Sequence, residues 1–193
     1  MLIVGTGGQG QITLLQILAE AALIDNLDFK SSELHGLSQR GGSVEVHIRF
    51  GQELFSPLIS KGKANLILAL EAQESLRGLH FSNPKTIFLI NKYFALIPGQ
   101  KGISERRILN NLKEFSKKII FIPAAEICQK EFGTGVTAGI YLLSLAVFKK
   151  LIPLKPDSIL KAIKKIIPEK HLELNKKTFQ LAKNHAKEIG TEK

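Results

Sequence analysis

Tryptophan is absent from this 193-residue chain, tyrosine occurs twice, and cysteine and methionine occur once each. A lone Cys128 excludes an internal disulfide framework, and it excludes an iron–sulfur cluster held by this chain alone, which takes about four thiolates. Long hydrophobic runs are missing too. The longest, VTAGIYLLSLAVF from Val136 to Phe148, falls short of the ~20 residues that span a bilayer. The opening MLIVGTGG carries no basic segment of the kind that begins a secretory signal, and reads as a first strand. These absences lead us to expect a soluble, cytoplasmic chain without a membrane partner, long enough to bury a core without covalent staples.

Acidic residues are also scarce, with 17 Asp and Glu against 27 Lys and Arg, a formal charge of +10. A nucleic-acid role does not follow from that excess. The lysines are scattered in pairs through helical patterns (Lys117-Lys118, Lys149-Lys150, Lys164-Lys165, Lys176-Lys177), no zinc-ligand spacing occurs, and aromatics for base stacking are few. A solvated lysine-rich surface is the expectation, with the possibility of docking an acidic partner.

The periodicities that are present alternate between strand and helix. LIVG (2–5), DFKSSE (28–33), SVEVHIRF (43–50), NLILAL (65–70), TIFLIN (86–91) and KIIFIP (118–123) read as strands. SVEVHIRF alternates, so that Ser43, Glu45, His47 and Arg49 should face solvent. The last three are unbroken apolar runs, as in a sheet covered on both faces. Helical spacing marks the segment after Gly10, at Ile12, Leu15, Leu18, Ala19, Ala22 and Leu23. Further helices are expected from Ser104, as N-cap, to Phe115, from about 135 to 149, and over 156–167 and 172–188. The expected fold is α/β and Rossmann-like, a mostly parallel open sheet with helices on both faces. It spans 1–193 as one domain, with lysine-rich C-terminal helices (about 156–188) packed on it.

Two loops carry the chemistry. VGTGGQGQ sets Gly5, Gly7 and Gly10 in a GxGxxG pattern between a strand and a helix, with Gly8 and Gln9 inside it. That context suits a tight turn, close backbone approach and helix-terminal amides facing an anion. Glu33 ends the second strand, where a dinucleotide fold places a carboxylate for a ribose hydroxyl. The pattern therefore leaves a stand-alone NAD- or FAD-binding oxidoreductase open, beside a non-catalytic binding domain and glycines that merely allow close packing. The second loop, HGLSQRGG, sets Gly36, Ser38, Gln39 and Arg40 before Gly41 and Gly42. Arg40 offers a five-donor fork for carboxylate or phosphate, and the glycines permit positive φ or close approach.

Taken together, GTGGQG at 5–10 and SELHGLSQRGGSVEVHIRFG at 32–51 resemble the gamma-type domain of the 2-oxoacid:ferredoxin oxidoreductases, and the wording SELHGLSQRGG is most similar to the small (beta) subunits of the indolepyruvate branch. The resemblance extends to LELNKKTFQLA (172–182), with Asn175 and Phe179. It departs at GTGVTAGIYLLSLAV (133–147), where Ala138 and Ser144 replace an Asn and a Gly. The resemblance implies a subunit of an enzyme that oxidatively decarboxylates a 2-oxoacid, here an arylpyruvate such as indolepyruvate, to an acyl-CoA. Thiamine diphosphate, magnesium and 4Fe-4S clusters would lie in a large (alpha) partner subunit, coenzyme A would be co-substrate, and ferredoxin would take the electrons. This chain has neither a magnesium-diphosphate motif nor the cysteines for a cluster, so it should be inactive alone.

The two loops are then expected side by side at one rim of the sheet, either docking the large subunit or walling the coenzyme A and diphosphate region. An exposed apolar patch is expected near them, and a homodimer when the chain is isolated. Arg40 could instead pair locally with Glu33 or Glu71. Glu71 and Asn91 end consecutive strands and are secondary candidates for ligand or partner contact. His35 has no acid–base partner in view, and Cys128, in the helical AAEICQKEF, is expected to be buried and inert.

Overall fold

The computed structural model describes residues 1–36, 41–95 and 102–188. Six strands form one sheet: β1 (Leu2–Thr6), β2 (Phe29–His35), β3 (Ser43–Phe50), β4 (Leu66–Ala69), β5 (Ile87–Asn91) and β6 (Lys118–Ile122), in the spatial order β2-β3-β1-β4-β5-β6. β1, β4, β5 and β6 pair in parallel, while β3 runs antiparallel to both β1 and β2. The sheet is thus mostly parallel with an antiparallel ribbon on one side. The ends of the parallel strands, the start of β3 and the end of β2 all meet at one rim.

Alternate residues of the central strands enter two separate cores. Ile3, Val46, Leu68 and Leu89 face helices α1 (Gln11–Ile24), α4 (Ala138–Phe148), α5 (Pro156–Ile166) and α6 (Glu169–Glu188). Leu2, Val4, Ile67 and Phe88 face α2 (Glu105–Lys113) and a 3₁₀ segment, Gln73–Phe81. Burial on both faces explains why β4 and β5 read as continuous apolar runs. α4 is apolar all round, with every residue from Ile140 to Val147 buried, because sheet-side helices and α6 enclose it.

Helix α2 begins where expected, with the Ser104 side chain accepting from the Arg107 amide at 3.4 Å. α6 starts three residues before the expected position, and α3 (Ala124–Phe132) ends on left-handed Gly133. The 3₁₀ segment is not visible in the periodicity. It packs so tightly that a Cβ on Gly78 would meet Ile67 Cδ1 at 2.7 Å.

One expectation fails at β3. His47 is 2% exposed, not solvated. The 3₁₀ segment and the strand-following loop cover that face: Phe81 packs edge-on at 4.9 Å, and the Ile59 amide donates to His47 Nδ1 at 3.1 Å. Alternation identifies which side chains share a face, but a second layer decides whether that face is wet.

Candidate functional site

The glycine loop and the second loop are joined by backbone. The Gly7 amide donates to the Gly42 carbonyl at 2.7 Å, and the Gly41 amide donates back to the Gly7 carbonyl at 3.3 Å. The joint follows from the register, in which Thr6 pairs with Ser43 and Gly5 with Val44, so β1 leaves the sheet where β3 enters it. Gly10 caps α1 at φ 80° and Gly41 turns at φ 70°, both in the left-handed region where a side chain is strained. Gly36 is exposed at the end of β2. Ser38, Gln39 and Arg40 lie outside the described residues.

Inside the glycine loop the chain supplies its own ligands. Gln9 Oε1 accepts the Thr6 amide at 2.8 Å and its Nε2 donates to the Leu70 carbonyl at 3.4 Å, while Gln11 Nε2 donates to the Thr6 carbonyl at 2.8 Å. Both amides press on Gly5, where a Cβ would meet them at 2.6 and 2.7 Å. Gln9 and Gln11 therefore fill the space over Gly5, the tight-turn glycine of the pattern. Glu33 does not complete a ribose site. It pairs with Val46, which pairs with Ile3, so β3 separates it from β1 by two strand spacings, about 10 Å. The antiparallel strand β3, inserted between β1 and β2, departs from the dinucleotide geometry that GxGxxG and Glu33 suggested.

Glu71 and Asn91 do reach the rim, but as clamps. Glu71 is 1% exposed, and its carboxylate accepts the Glu74 amide at 2.8 Å and the Ala95 amide at 3.0 Å. Burial raises its pKa, against the pull of those bonds. Asn91 Nδ2 donates to the Leu70 carbonyl at 3.1 Å and its Oδ1 accepts the Ala125 amide at 3.3 Å, tying β5 to β4 and α3. On the other face Ser43 Oγ donates to Glu74 Oε1 at 3.0 Å, and Glu74 Oε2 holds Arg77 at 2.7 Å. Glu45 beside them has its carboxyl raised by burial first, and by the neighbouring Glu74.

Beside the glycine loop lies a cleft of about 700 Å³ whose wall includes Thr13, Asn91, Tyr93, Val136, His171 and Asn175. It opens where α1, α4 and α6 converge above the rim. Sequence reasoning assigned no role to Tyr93, Val136 or His171. Their signals are slight: a tyrosine two residues past a strand end, a valine inside the glycine-bearing GTGV turn, and a histidine in the first turn of α6. Val136 is 87% exposed and Tyr93 44%. Cys128 is buried, with its thiol raised by burial, and His35 is exposed at the end of β2.

Among the described residues no group of three His, Cys, Asp or Glu is placed to hold a metal ion, and the chain has one cysteine. No helix among the described residues is long and apolar enough to cross a membrane. What the rim offers is a backbone-joined pair of loops beside an open cleft.

Comparison with known proteins places this arrangement. The chain belongs to the pyruvate ferredoxin/flavodoxin oxidoreductase family, whose model matches residues 1–185. It is 31% identical over 191 residues to indolepyruvate oxidoreductase subunit IorB of Archaeoglobus fulgidus, covering 96% of this chain and 94% of the relative. It is 26% identical over 160 residues to the common gamma subunit of the pyruvate/ketoisovalerate oxidoreductases of Pyrococcus furiosus, covering 83% and 82%.

Among solved structures, the gamma subunit of a keto/oxoacid ferredoxin oxidoreductase from Geobacter sulfurreducens superposes with a TM-score of 0.66 at 24% identity, over 97% of each chain. A 2-oxoglutarate:ferredoxin oxidoreductase from Magnetococcus marinus, solved with 2-oxoglutarate, coenzyme A and succinyl-CoA, superposes at 0.71 and 16% identity. This chain is covered to 97% there, and that longer chain to 30%. The mixed α/β fold is that of the family's gamma subunits, and the matching relatives are parts of oxidoreductases.

Proposed function

We propose that this chain is the small subunit of a cytoplasmic, ferredoxin-dependent oxidoreductase that decarboxylates an arylpyruvate such as indolepyruvate to the aryl-acetyl-CoA and carbon dioxide. The chain acts as one domain over 1–193. In this reading the large subunit holds thiamine diphosphate, magnesium and the 4Fe-4S clusters, ferredoxin accepts the electrons, and the small subunit alone turns nothing over. The backbone joint between Gly7 and Gly41-Gly42 carries the reading, because it fixes both glycine loops as one surface at the rim. That surface, with Gly8, Gln9, Gly10, Gly36, Ser38, Gln39 and Arg40 and with Gly5 packed beneath it, docks the large subunit beside its active site and faces the coenzyme A and diphosphate region. The Arg40 guanidinium is suited to a carboxylate or phosphate there. An isolated chain is proposed to self-associate through the same face.

The test is reconstitution. The two subunits, co-expressed, should reduce ferredoxin only when an arylpyruvate and coenzyme A are both supplied, and neither subunit alone should do so. Arg40→Ala should weaken subunit association or raise the KM for coenzyme A by about tenfold or more, the loss of a charge-assisted contact of roughly 1.5–3 kcal/mol. Turnover by this chain alone with substrate and a nicotinamide would overturn the reading.

A further inference from the structure

We propose that Tyr93 and Val136, exposed residues of the cleft wall, are apolar anchors that seat the large catalytic subunit, extending its docking surface beyond the glycine loops. The inference rests on the small-subunit reading above. Its occupant is a protein surface and not a small ligand, for three reasons.

Exposure is the first. A valine 87% exposed has most of its side chain in water although it borders the cleft, so a molecule sunk in the cleft would touch one side of it only, and covering it takes a broad surface passing over the cleft.

Rigidity is the second. The Tyr93 carbonyl accepts the Ala72 amide at 2.8 Å, and two residues on the Ala95 amide is held by the buried Glu71 carboxylate at 3.0 Å. The ring, 44% exposed, is thus presented on a backbone bracketed from both sides. Val136 sits in a turn closed by its own amide donating to Thr134 Oγ1 at 3.3 Å, with Gly135 so close to α3 that a Cβ would meet the Ala125 carbonyl oxygen at 3.2 Å. Side chains held in this way lose little freedom on binding, which is the property of interface anchors.

Charge is the third. At the chain-wide proportion of 23% Asp, Glu, Lys and Arg, the 22 described residues of the wall would include about five, and they include none. A neutral island on a chain of charge +10 has the composition of an interface core, where charge is depleted, and not of a solvated surface. In the Magnetococcus marinus protein a domain of this fold makes up 30% of a longer chain, so there the domain shares its polypeptide with the rest of the enzyme.

The experiment measures the dissociation constant between the purified small subunit and its large subunit by titration calorimetry. Tyr93→Ala should weaken association about thirtyfold and Val136→Asp more than tenfold, the range of buried interface anchors. Tyr93→Phe should stay near wild type, since the ring is kept. Phe115→Ala, exposed at the opposite rim after α2, should change nothing. Circular dichroism and melting temperature should match wild type in every variant, because Val136 is exposed and the bonds that place Tyr93 are made by backbone.

If the wild-type subunits fail to associate, the small-subunit reading falls and takes this inference with it. If they associate and the Tyr93 and Val136 variants bind equally well, the inference alone falls. Unchanged association with a raised KM for the 2-oxoacid or coenzyme A would assign the pair to a small ligand, and it would equally overturn the proposal.

Discussion

Gly5→Ala tests the packing beneath the docking surface. The new methyl group would stand 2.6 Å from Gln9 Oε1, 2.7 Å from Gln11 Nε2 and 3.1 Å from Leu70 Cβ. The two amides can swing away, but only by abandoning their bonds to the Thr6 amide and carbonyl, both at 2.8 Å. Two such bonds are worth about 2 kcal/mol together, and crowding against Leu70, which is fixed by the sheet, adds about 1–3. A loss of roughly 3–5 kcal/mol follows, or a urea midpoint lower by about 2 M at a slope near 2 kcal/mol/M.

Gly36→Ala serves as the control. A Cβ there meets no described atom within 4 Å, so its effect should stay within about 0.5 kcal/mol. Repeating Gly5→Ala in a Gln9→Ala, Gln11→Ala background should leave only the Leu70 component, a coupling of about 2 kcal/mol in the double-mutant cycle. Urea melts followed by circular dichroism report all of these values. If Gly5→Ala costs under about 1 kcal/mol, or costs the same with the glutamines removed, the two amides do not fill the space over Gly5 and the packing account of the glycine loop is refuted.

Other outcomes follow from single contacts. Burial holds the His47 imidazole below its usual pKa, so the unfolded chain takes up this proton first. The stability His47 contributes is present above about pH 6.5 and is lost as pH falls from there toward the folded value, at no more than ~1.4 kcal/mol per pH unit. His47→Leu should lower stability at pH 7 by about 1–3 kcal/mol by orphaning the Ile59 amide, and should flatten the slope below pH 6.5. Glu45, raised by burial and 3.9 Å from His47 Nε2, and the Met1 amino group, lowered by burial to about 5, titrate beside it, so the difference between the two proteins reports His47 together with its coupling to these neighbours. Asn91→Ala strips the Ala125 amide of its partner, leaves the Leu70 carbonyl only the longer Gln9 bond at 3.4 Å, and should cost about 1–3 kcal/mol in urea melts. Gly78→Ala drives a methyl into Ile67 Cδ1 at 2.7 Å and should cost a similar amount through overpacking, read as a lower melting temperature.

Much of the site was legible along the chain, and what was missed has identifiable causes. The glycine loops were found because positive φ and tight turns demand particular residues, and these stand out in any order of reading. Glu33 misled because its place at a strand end is the same whether the next strand runs parallel or antiparallel, and here β3 inserts between β2 and β1. Gln9 and Gln11 were visible as residues, yet their side chains bond backwards onto β1, a choice that periodicity does not encode. His47 looked solvent-facing because alternation is a property of one strand, whereas its cover comes from Ile59 and Phe81 on other segments. Tyr93, Val136 and His171 come from separate stretches and make a cleft only after α1, α4 and α6 converge.

By itself the sequence determined the strands and α-helices, the absence of a cysteine set for clusters, and the two glycine-rich turns, since each depends on local sterics or on counting residues. Tertiary structure decided the strand order, which carboxylates and histidines are buried, and the joining of the two turns by backbone bonds beside a neutral cleft. Those properties depend on which segments lie against which, and that is set by the closing of two apolar cores around one sheet, not by any stretch read alone.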